Sequence, residues 1–171
     1  MSAVKPRQTQ VDLRVDLGGL PMRNPVTTAS GTFGAGREYA DFVDVASLGA
    51  VTTKGVSLNG WEGNASPRIA ETPSGMLNSI GLQNPGVDHY LEYDLPKLKG
   101  LGATVIANVA GHCDDDYAQV VEKLAASDAD MLEINVSCPN VTHGGMSVGT
   151  DPVALGRLMD RLRPMTDKPM I

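Results

Sequence analysis

The clearest strand signal in the chain reads Met131-Leu132-Glu133-Ile134-Asn135-Val136, and Ser137-Cys138-Pro139-Asn140 follows it directly. The run is short and mainly apolar with β-branched members, which is typical of a buried strand. A proline closes it directly after a cysteine, so we expect the Cys138 thiol at the mouth of the strand. Outward from this run, the same theme of a short apolar segment ending in a polar residue recurs. It appears at 25–30, 50–54 and 103–108, which end in Ser30, Lys54 and Asn108.

Helical patterns separate these runs, and most of them have entry signals. The predicted helices are 37–47, 89–99, 115–126 and 152–163. Asp114 to Asp116 supply a cap and a favourable charge at the start of the third, and Thr150-Asp151-Pro152 gives the fourth a cap followed by a first-turn proline. Strands that alternate with helices predict a parallel sheet, either a doubly wound open sheet or a (β/α) barrel.

The polar strand ends and a missing motif favour the barrel. A polar residue at the end of every run indicates one shared rim, and 34–39 lacks the third glycine of the dinucleotide fingerprint. A (β/α)8 TIM barrel typically needs ~250 residues, whereas only four strands and the start of a fifth at 168–171 are visible. We therefore predict that residues 1–171 are the N-terminal portion of a single barrel domain. It would comprise an N-terminal hairpin at 11–24 and roughly four to five βα units.

Composition narrows the function classes. The 171 residues carry a net charge of −6 and form no basic stripe, which argues against a nucleic-acid partner. No segment approaches the ~20 apolar residues of a membrane span, and the N-terminus lacks a secretory signal. The two cysteines, Cys113 and Cys138, have neither redox nor zinc-ligand spacing. The sequence thus predicts a cytoplasmic protein without a metal site or a membrane partner.

Each candidate residue allows a functional and a purely structural interpretation. Cys138 is either a base or nucleophile, or a small buried residue. Lys54 either aims a fixed positive charge at an anion or extends to solvent. Asn108 and Asn135 end apolar strands, so each buried amide needs a partner, which a polar heterocycle or a neighbouring main chain can supply. The segment 76–86 is predicted to be a long loop, rich in amides and glycines, suited to a small polar ring.

Taken together, four motifs resemble the dihydroorotate dehydrogenase family, in the right order and at the right separations, from about residue 11 to the last. They are Ala29-Ser30-Gly31-Thr32-Phe33-Gly34, Thr53-Lys54-Gly55, Asn78-Ser79-Ile80-Gly81-Leu82-Gln83-Asn84-Pro85-Gly86 and Asn135-Val136-Ser137-Cys138-Pro139-Asn140. Cys138, at the position of the family's active-site loop, resembles the class 1 enzymes of this family. The continuation at 143–152 resembles the B type of that class more than the fumarate-using A type.

The resemblance implies a (β/α)8 barrel with FMN over the carboxyl ends of its strands. The positions matching flavin contacts are Ser30, Lys54, Gly55, Asn108 and Asn135. Those matching substrate contacts are Lys54, Asn78, Ser79, Ile80, Gly81, Leu82 and Asn135. Cys138 matches the catalytic base, which takes a proton from C5 of (S)-dihydroorotate while a hydride passes from C6 to FMN.

The same resemblance implies the pathway and the partners. The reaction yields orotate in de novo pyrimidine (UMP) biosynthesis, with electrons passing to NAD⁺ through a separate subunit that carries FAD and an iron–sulfur cluster. A heterotetramer of two catalytic and two electron-transfer subunits is expected, and the 171-residue chain alone is expected to be inactive. Two alternatives stay open: a flavin-dependent domain of the dihydropyrimidine dehydrogenase type, and an inactive barrel fragment that acts as an interaction module.

Overall fold

A computed structural model of the chain describes residues 11–137 and 146–171. Its central sheet contains the parallel strands β3 (Val51–Thr52), β6 (Val105–Val109) and β7 (Met131–Ile134), in the order β3-β6-β7. Two small antiparallel hairpins accompany it. These are β1 (Val15–Leu17) with β2 (Leu20–Met22), and β4 (Ile69–Thr72) with β5 (Gly75–Asn78).

Isolated parallel bridges extend the central sheet on both sides. Thr27 pairs with Ala50 at one edge, and Leu132 pairs with Met170 at the other. The Ile134 amide donates to the Ile171 carbonyl at 2.7 Å, which continues the ladder. All five predicted runs therefore lie side by side, parallel and in chain order. That order is expected of consecutive barrel strands, whereas a doubly wound sheet reverses it at a switch point.

The helices lie largely where the sequence predicts them. The first helix runs from 87 to 100 in three continuous parts, which are α1 (Val87–His89), a π-helical segment (Tyr90–Asp94) and α2 (Leu95–Gly100). The later helices are α3 (Asp114–Ala125), α4 (Met146–Gly149) and α5 (Pro152–Leu162). The predictions at 89–99, 115–126 and 152–163 are confirmed.

Helix α5 has a side-chain N-cap, whereas α3 has none. The Asp151 carboxylate accepts from the amides of Val153 and Ala154 and caps α5 as predicted. The predicted aspartate cap of α3 is wrong, because Cys113 holds the N-cap position and the three aspartates occupy the first turn. The Asp116 carboxylate instead accepts from the amide of His112, the residue before this N-cap, at 3.0 Å.

Two other element predictions are wrong. Residues 37–47 form no continuous helix but two 3₁₀ turns, Arg37–Tyr39 and Val45–Ser47. The Asp44 side chain accepts from the Ala46 amide at 3.1 Å and so begins a new turn inside the predicted helix. Residues 75–78 are strand β5 rather than loop, because Pro73-Ser74 turns the chain back on β4.

The central sheet buries both of its faces. Alternate side chains such as Val105, Val109 and Leu132 enter the larger cluster with the helices. On the opposite face, Ile106 and Met131 form a smaller cluster with Ala50 and with Leu20 and Met22 of the N-terminal hairpin. The predicted N-terminal hairpin is thus confirmed, and it covers this face of the sheet. Within the described ranges, no helix combines the length and apolar character needed to cross a membrane.

Candidate functional site

Three predicted residues meet at the carboxyl ends of the central strands. Asn108 lies in β6 and is 1% exposed, and its Oδ1 accepts from Nδ2 of Asn135 at 3.2 Å. Gly55 lies against the same amide, since a Cβ at this position would be 2.5 Å from Asn108 Oδ1 and 3.5 Å from Asn135 Nδ2. Only glycine allows this approach, so the three residues form one compact amide cluster.

Lys54 precedes that cluster and lies beside the first predicted motif. Its backbone amide donates to the Gly34 carbonyl at 2.8 Å, and its Nζ atom is 3.7 Å from the place of a Cβ on Gly31. Ser30, which is half-buried, directly precedes Gly31. The structure therefore brings the 30–34 loop against the lysine, as expected if both contact the same ligand.

The loop that follows β5 reaches the cluster through Leu82. The Leu82 Cδ1 atom lies 3.4 Å from the place of a Cβ on Gly55, and the Leu82 φ angle is +54°. A positive φ is costly for a branched side chain, and such strain concentrates at functional sites. The loop is held by buried Asn84, whose Nδ2 donates to the Leu82 carbonyl and whose Oδ1 accepts from the amides of Ser57 and Gly86.

The other predicted substrate positions are not brought to this cluster. Asn78 ends strand β5, and both it and Ser79 are exposed. The Ile80 carbonyl accepts from the amide of Asn64, and a Cβ on Gly81 would also meet Asn64. The Ser79 carbonyl likewise accepts from Nδ2 of Asn64. Cys138 lies outside the described residues.

A cavity of about 440 Å³ opens beside Lys54, between the 30–38 segment and the first helix. Its wall contains Asp94, which is 4% exposed, and Arg37, whose Nε lies 3.2 Å from Asp94 Oδ1. His89 Nδ1 is 3.7 Å from the other carboxylate oxygen, beyond hydrogen-bond length. Burial raises the pKa of Asp94, and the positive charge of Arg37 only partly opposes that shift.

Sequence reasoning missed three residues that shape the site. The Glu133 carboxylate accepts from Asn108 Nδ2. The Tyr117 hydroxyl donates to the Asn135 carbonyl at 2.6 Å, and Asn84 pins the Leu82 loop. A signal for Glu133 was available, because a charged residue inside an otherwise apolar strand needs a partner.

Comparison with known proteins adds to this geometry. A model of the family described as dihydroorotate dehydrogenase matches residues 12–171. The chain belongs to the dihydroorotate dehydrogenase family. This family has the TIM-barrel fold, which agrees with the parallel α/β arrangement seen here.

Curated relatives in this family are about half identical to the chain. "Dihydroorotate dehydrogenase B (NAD(+)), catalytic subunit" of Alkaliphilus metalliredigens is 50% identical over 95% of the chain and 54% of the relative. The protein of the same name from Lachnoclostridium phytofermentans is 51% identical over 94% and 54%. "Putative dihydroorotate dehydrogenase A (fumarate)" of Aquifex aeolicus is 51% identical over 94% and 53%. The chain thus spans about half the length of the curated dihydroorotate dehydrogenases that it matches.

Proposed function

We propose that the full-length protein carrying this chain is an FMN-dependent dihydroorotate dehydrogenase that oxidises (S)-dihydroorotate to orotate in pyrimidine (UMP) biosynthesis. The observation that carries the proposal is the Gly55, Asn108 and Asn135 cluster at the strand ends of a chain belonging to this family. In this proposal, residues 1–171 are the N-terminal portion of one barrel domain, with the N-terminal hairpin and four to five βα units.

The residues present fit a flavin. Gly55 leaves room beside two amides whose polar edges suit the carbonyl and imide groups of a flat heterocycle. Ser30, which precedes Gly31, and Lys54, which follows β3, are the other proposed flavin contacts. When bound, FMN supplies a two-electron acceptor for the C6 hydride of dihydroorotate.

The chain's own side chains bind and orient the pyrimidine. Lys54 carries the positive charge that pairs with the substrate carboxylate, and Asn135 hydrogen-bonds the ring amides. The segment Asn78 to Leu82, with Ser79, Ile80 and Gly81, supplies the remaining proposed substrate contacts, and the approach of Leu82 to the cluster supports the place of this residue among them. Cys138 is the base that removes the C5 proton, so that loss of the C5 proton and C6 hydride leaves the C5=C6 double bond of orotate.

The names of the B-type relatives support an electron-transfer partner. We propose a separate subunit with FAD and an iron–sulfur cluster that passes electrons to NAD⁺, in a heterotetramer of two catalytic and two electron-transfer subunits, working in the cytoplasm. The fumarate-linked name of the Aquifex aeolicus relative defines the competing acceptor. Reduction of NAD⁺ with the partner present, compared with reduction of fumarate by the catalytic protein alone, decides between them.

The central experiment uses the full-length protein. We expect it to be yellow with about one FMN per chain and to form orotate from dihydroorotate with an artificial acceptor. Cys138→Ser is expected to retain FMN and to lose roughly 10²- to 10⁴-fold in kcat near neutral pH, because a hydroxyl is a poor base there.

Cys113→Ser is the matched control, since Cys113 is exposed and free. It is expected to turn over like the parent. A colourless full-length parent would contradict the cofactor proposal. Turnover of dihydrouracil in preference to dihydroorotate would move the protein to the dihydropyrimidine dehydrogenase type. A flavin-free, inactive protein would leave only the interaction module.

A further inference from the structure

Glu133 and Asn108 face each other across two neighbouring strands. They are register partners in the β6–β7 pair, two residues beyond Ile106 and Met131. Those two apolar residues belong to the cluster covered by the N-terminal hairpin. Because side chains alternate along a strand, Asn108 and Glu133 lie on the same face, nearer to the strand ends that carry the candidate site.

The backbone of Asn135 is fixed, so its side-chain amide is the group left to orient. The backbone amide nitrogen of Asn135 donates to the Val109 carbonyl at 2.9 Å, and its backbone carbonyl accepts from the Tyr117 hydroxyl at 2.6 Å. An amide side chain has a donor end and an acceptor end of nearly the same shape. Which end faces a ligand therefore depends on the side chain's own hydrogen-bond partners.

These partners form a relay with a defined direction. Asn108 Nδ2 donates to Glu133, and Asn108 Oδ1 in turn accepts from Asn135 Nδ2. The last link is Asn135 Oδ1, which accepts from the amide of Ser137 at 3.3 Å and from its hydroxyl at 3.4 Å. A carboxylate has only acceptor atoms, so the NH₂ end of Asn108 must face it. This orientation of Asn108 then fixes the direction of the two remaining hydrogen-bond links, from Asn135 to Asn108 and from Ser137 to Asn135.

We propose that Glu133 is a positioning residue that sets the direction of this relay, and thereby the pattern of donors and acceptors that Asn108 and Asn135 present to the flavin and the pyrimidine. The inference rests on the proposed function. Glu133 touches neither reacting group in this role and acts through the two amides. Its charge is the reason that the direction is unique, because a neutral amide in its place would allow either direction.

Substitutions that keep the shape test this relay in the full-length protein. In Glu133→Gln, the new amide can accept from Asn108 or donate to it, so two relay directions compete. We expect the dissociation constant for orotate to rise roughly tenfold or more. The visible absorption bands of the bound flavin should shift as well, with the melting temperature near that of the parent. Glu122→Gln is the matched control, since Glu122 is exposed on α3.

A double variant tests the direction of the hydrogen bonds separately from the presence of a carboxylate at position 133. Asn108→Asp alone places two carboxylates side by side and is expected to bind orotate more weakly than Glu133→Gln. In Glu133→Gln with Asn108→Asp, the glutamine donates to the aspartate, which still accepts from Asn135. The original direction at Asn135 is restored, and we expect orotate to bind more tightly than in either single variant.

The outcomes distinguish this inference from the proposed function. A parent that holds no FMN and forms no orotate refutes the proposed function. A working parent refutes the inference if Glu133→Gln behaves like Glu122→Gln, or if the double variant improves on neither single variant. Should Glu133→Gln fail to accumulate as folded protein, recovery of FMN content in the double variant over Asn108→Asp supports the relay, and no recovery overturns it.

Discussion

A side-chain carbon at Gly55 would lie 2.5 Å from the Oδ1 atom of Asn108. Asn108 is buried and bonded at both ends of its amide, so it cannot move aside without breaking a hydrogen bond. We therefore expect Gly55→Ala to destabilise the protein by roughly 1–3 kcal/mol through overpacking. We also expect full-length protein with this change to retain less FMN, as measured by flavin absorbance per chain after dialysis.

Gly156→Ala is the control for this prediction. Gly156 lies within α5, and no atom lies within 4 Å of the place of its Cβ. Alanine there should stabilise the helix by up to about 1 kcal/mol, since glycine is a poor helix former. Equal free energies of unfolding for the two variants would show that the close approach at Gly55 is not rigid.

The buried carboxylate of Asp94 predicts a pH-dependent stability. Its folded-state pKa is raised by burial, above an ordinary value of 3.8. Between these two values the folded protein holds a proton that the unfolded chain has lost, so stability rises as the pH falls through this window. Above the window the buried charge lowers stability.

Asp94→Asn removes that charge at every pH. Near neutral pH we expect the variant to melt at least as high as the parent, and we expect this advantage to shrink as the pH falls toward 3.8. Melting temperatures of the two proteins across this range make the test, with exposed Asp160→Asn as control. An advantage that grows on acidification would contradict the raised pKa.

Among single residues, the ends of strands were predictable and the partners of those residues were not. The polar residue closing each apolar run located Lys54, Asn108 and Asn135 at one edge. The charge of Glu133 in an apolar strand predicts that it needs a partner, but that this partner is Asn108, 25 residues earlier, depends on a strand register that no local pattern encodes. Asp94 was missed for the same reason, because the Arg37 opposite it lies on a different element.

At the scale of elements, periodicity located the helices but not their irregularities. Tyr90–Asp94 forms a π-helical segment that ends two residues before Pro96, which has no amide proton to donate to a residue one turn earlier. The 37–47 segment has apolar spacing suited to a helix, yet the Asp44 cap divides it. The β4–β5 hairpin went unnoticed since all eight of its strand residues are exposed and show no buried face.

The capping contact of α5 makes a quantitative test at this scale. The Asp151 carboxylate accepts from two amides that otherwise have no helical partner. We expect Asp151→Ala to lower the free energy of unfolding by about 1 kcal/mol in denaturant titrations. Asp160→Ala, an exposed aspartate inside the same helix, should change it by less than about 0.5 kcal/mol. Similar losses in both variants would indicate a general charge effect instead of a cap.

For the whole molecule, the order of strands was the predictable feature. Five parallel segments in chain order follow from apolar runs alternating with helical patterns. The convergence of polar strand ends on one edge follows from that order alone. The placement of 78–81 away from the amide cluster does not follow from it, because the hairpin that precedes these residues fixes the loop's path.

The single tryptophan reports whether the site unfolds together with the core. Trp61 exchanges two backbone hydrogen bonds with Asn84, and its ring centroid lies 4.0 Å from that of His112 beyond the end of β6. These links join the Leu82 loop to the central sheet. We therefore expect the 171-residue chain to lose Trp61 fluorescence and far-UV circular dichroism at the same denaturant concentration.

Removing core volume far from Trp61 makes that expectation sharper. Leu124 is fully buried in α3, within the larger apolar cluster. Leu124→Ala should lower the free energy of unfolding by roughly 2–5 kcal/mol, and both signals should move to the same lower midpoint. If the fluorescence midpoint stayed in place, or came well before the circular dichroism change in the parent, the candidate site would be a separately unfolding unit. Leu82 would then not be held rigidly against Gly55 in solution.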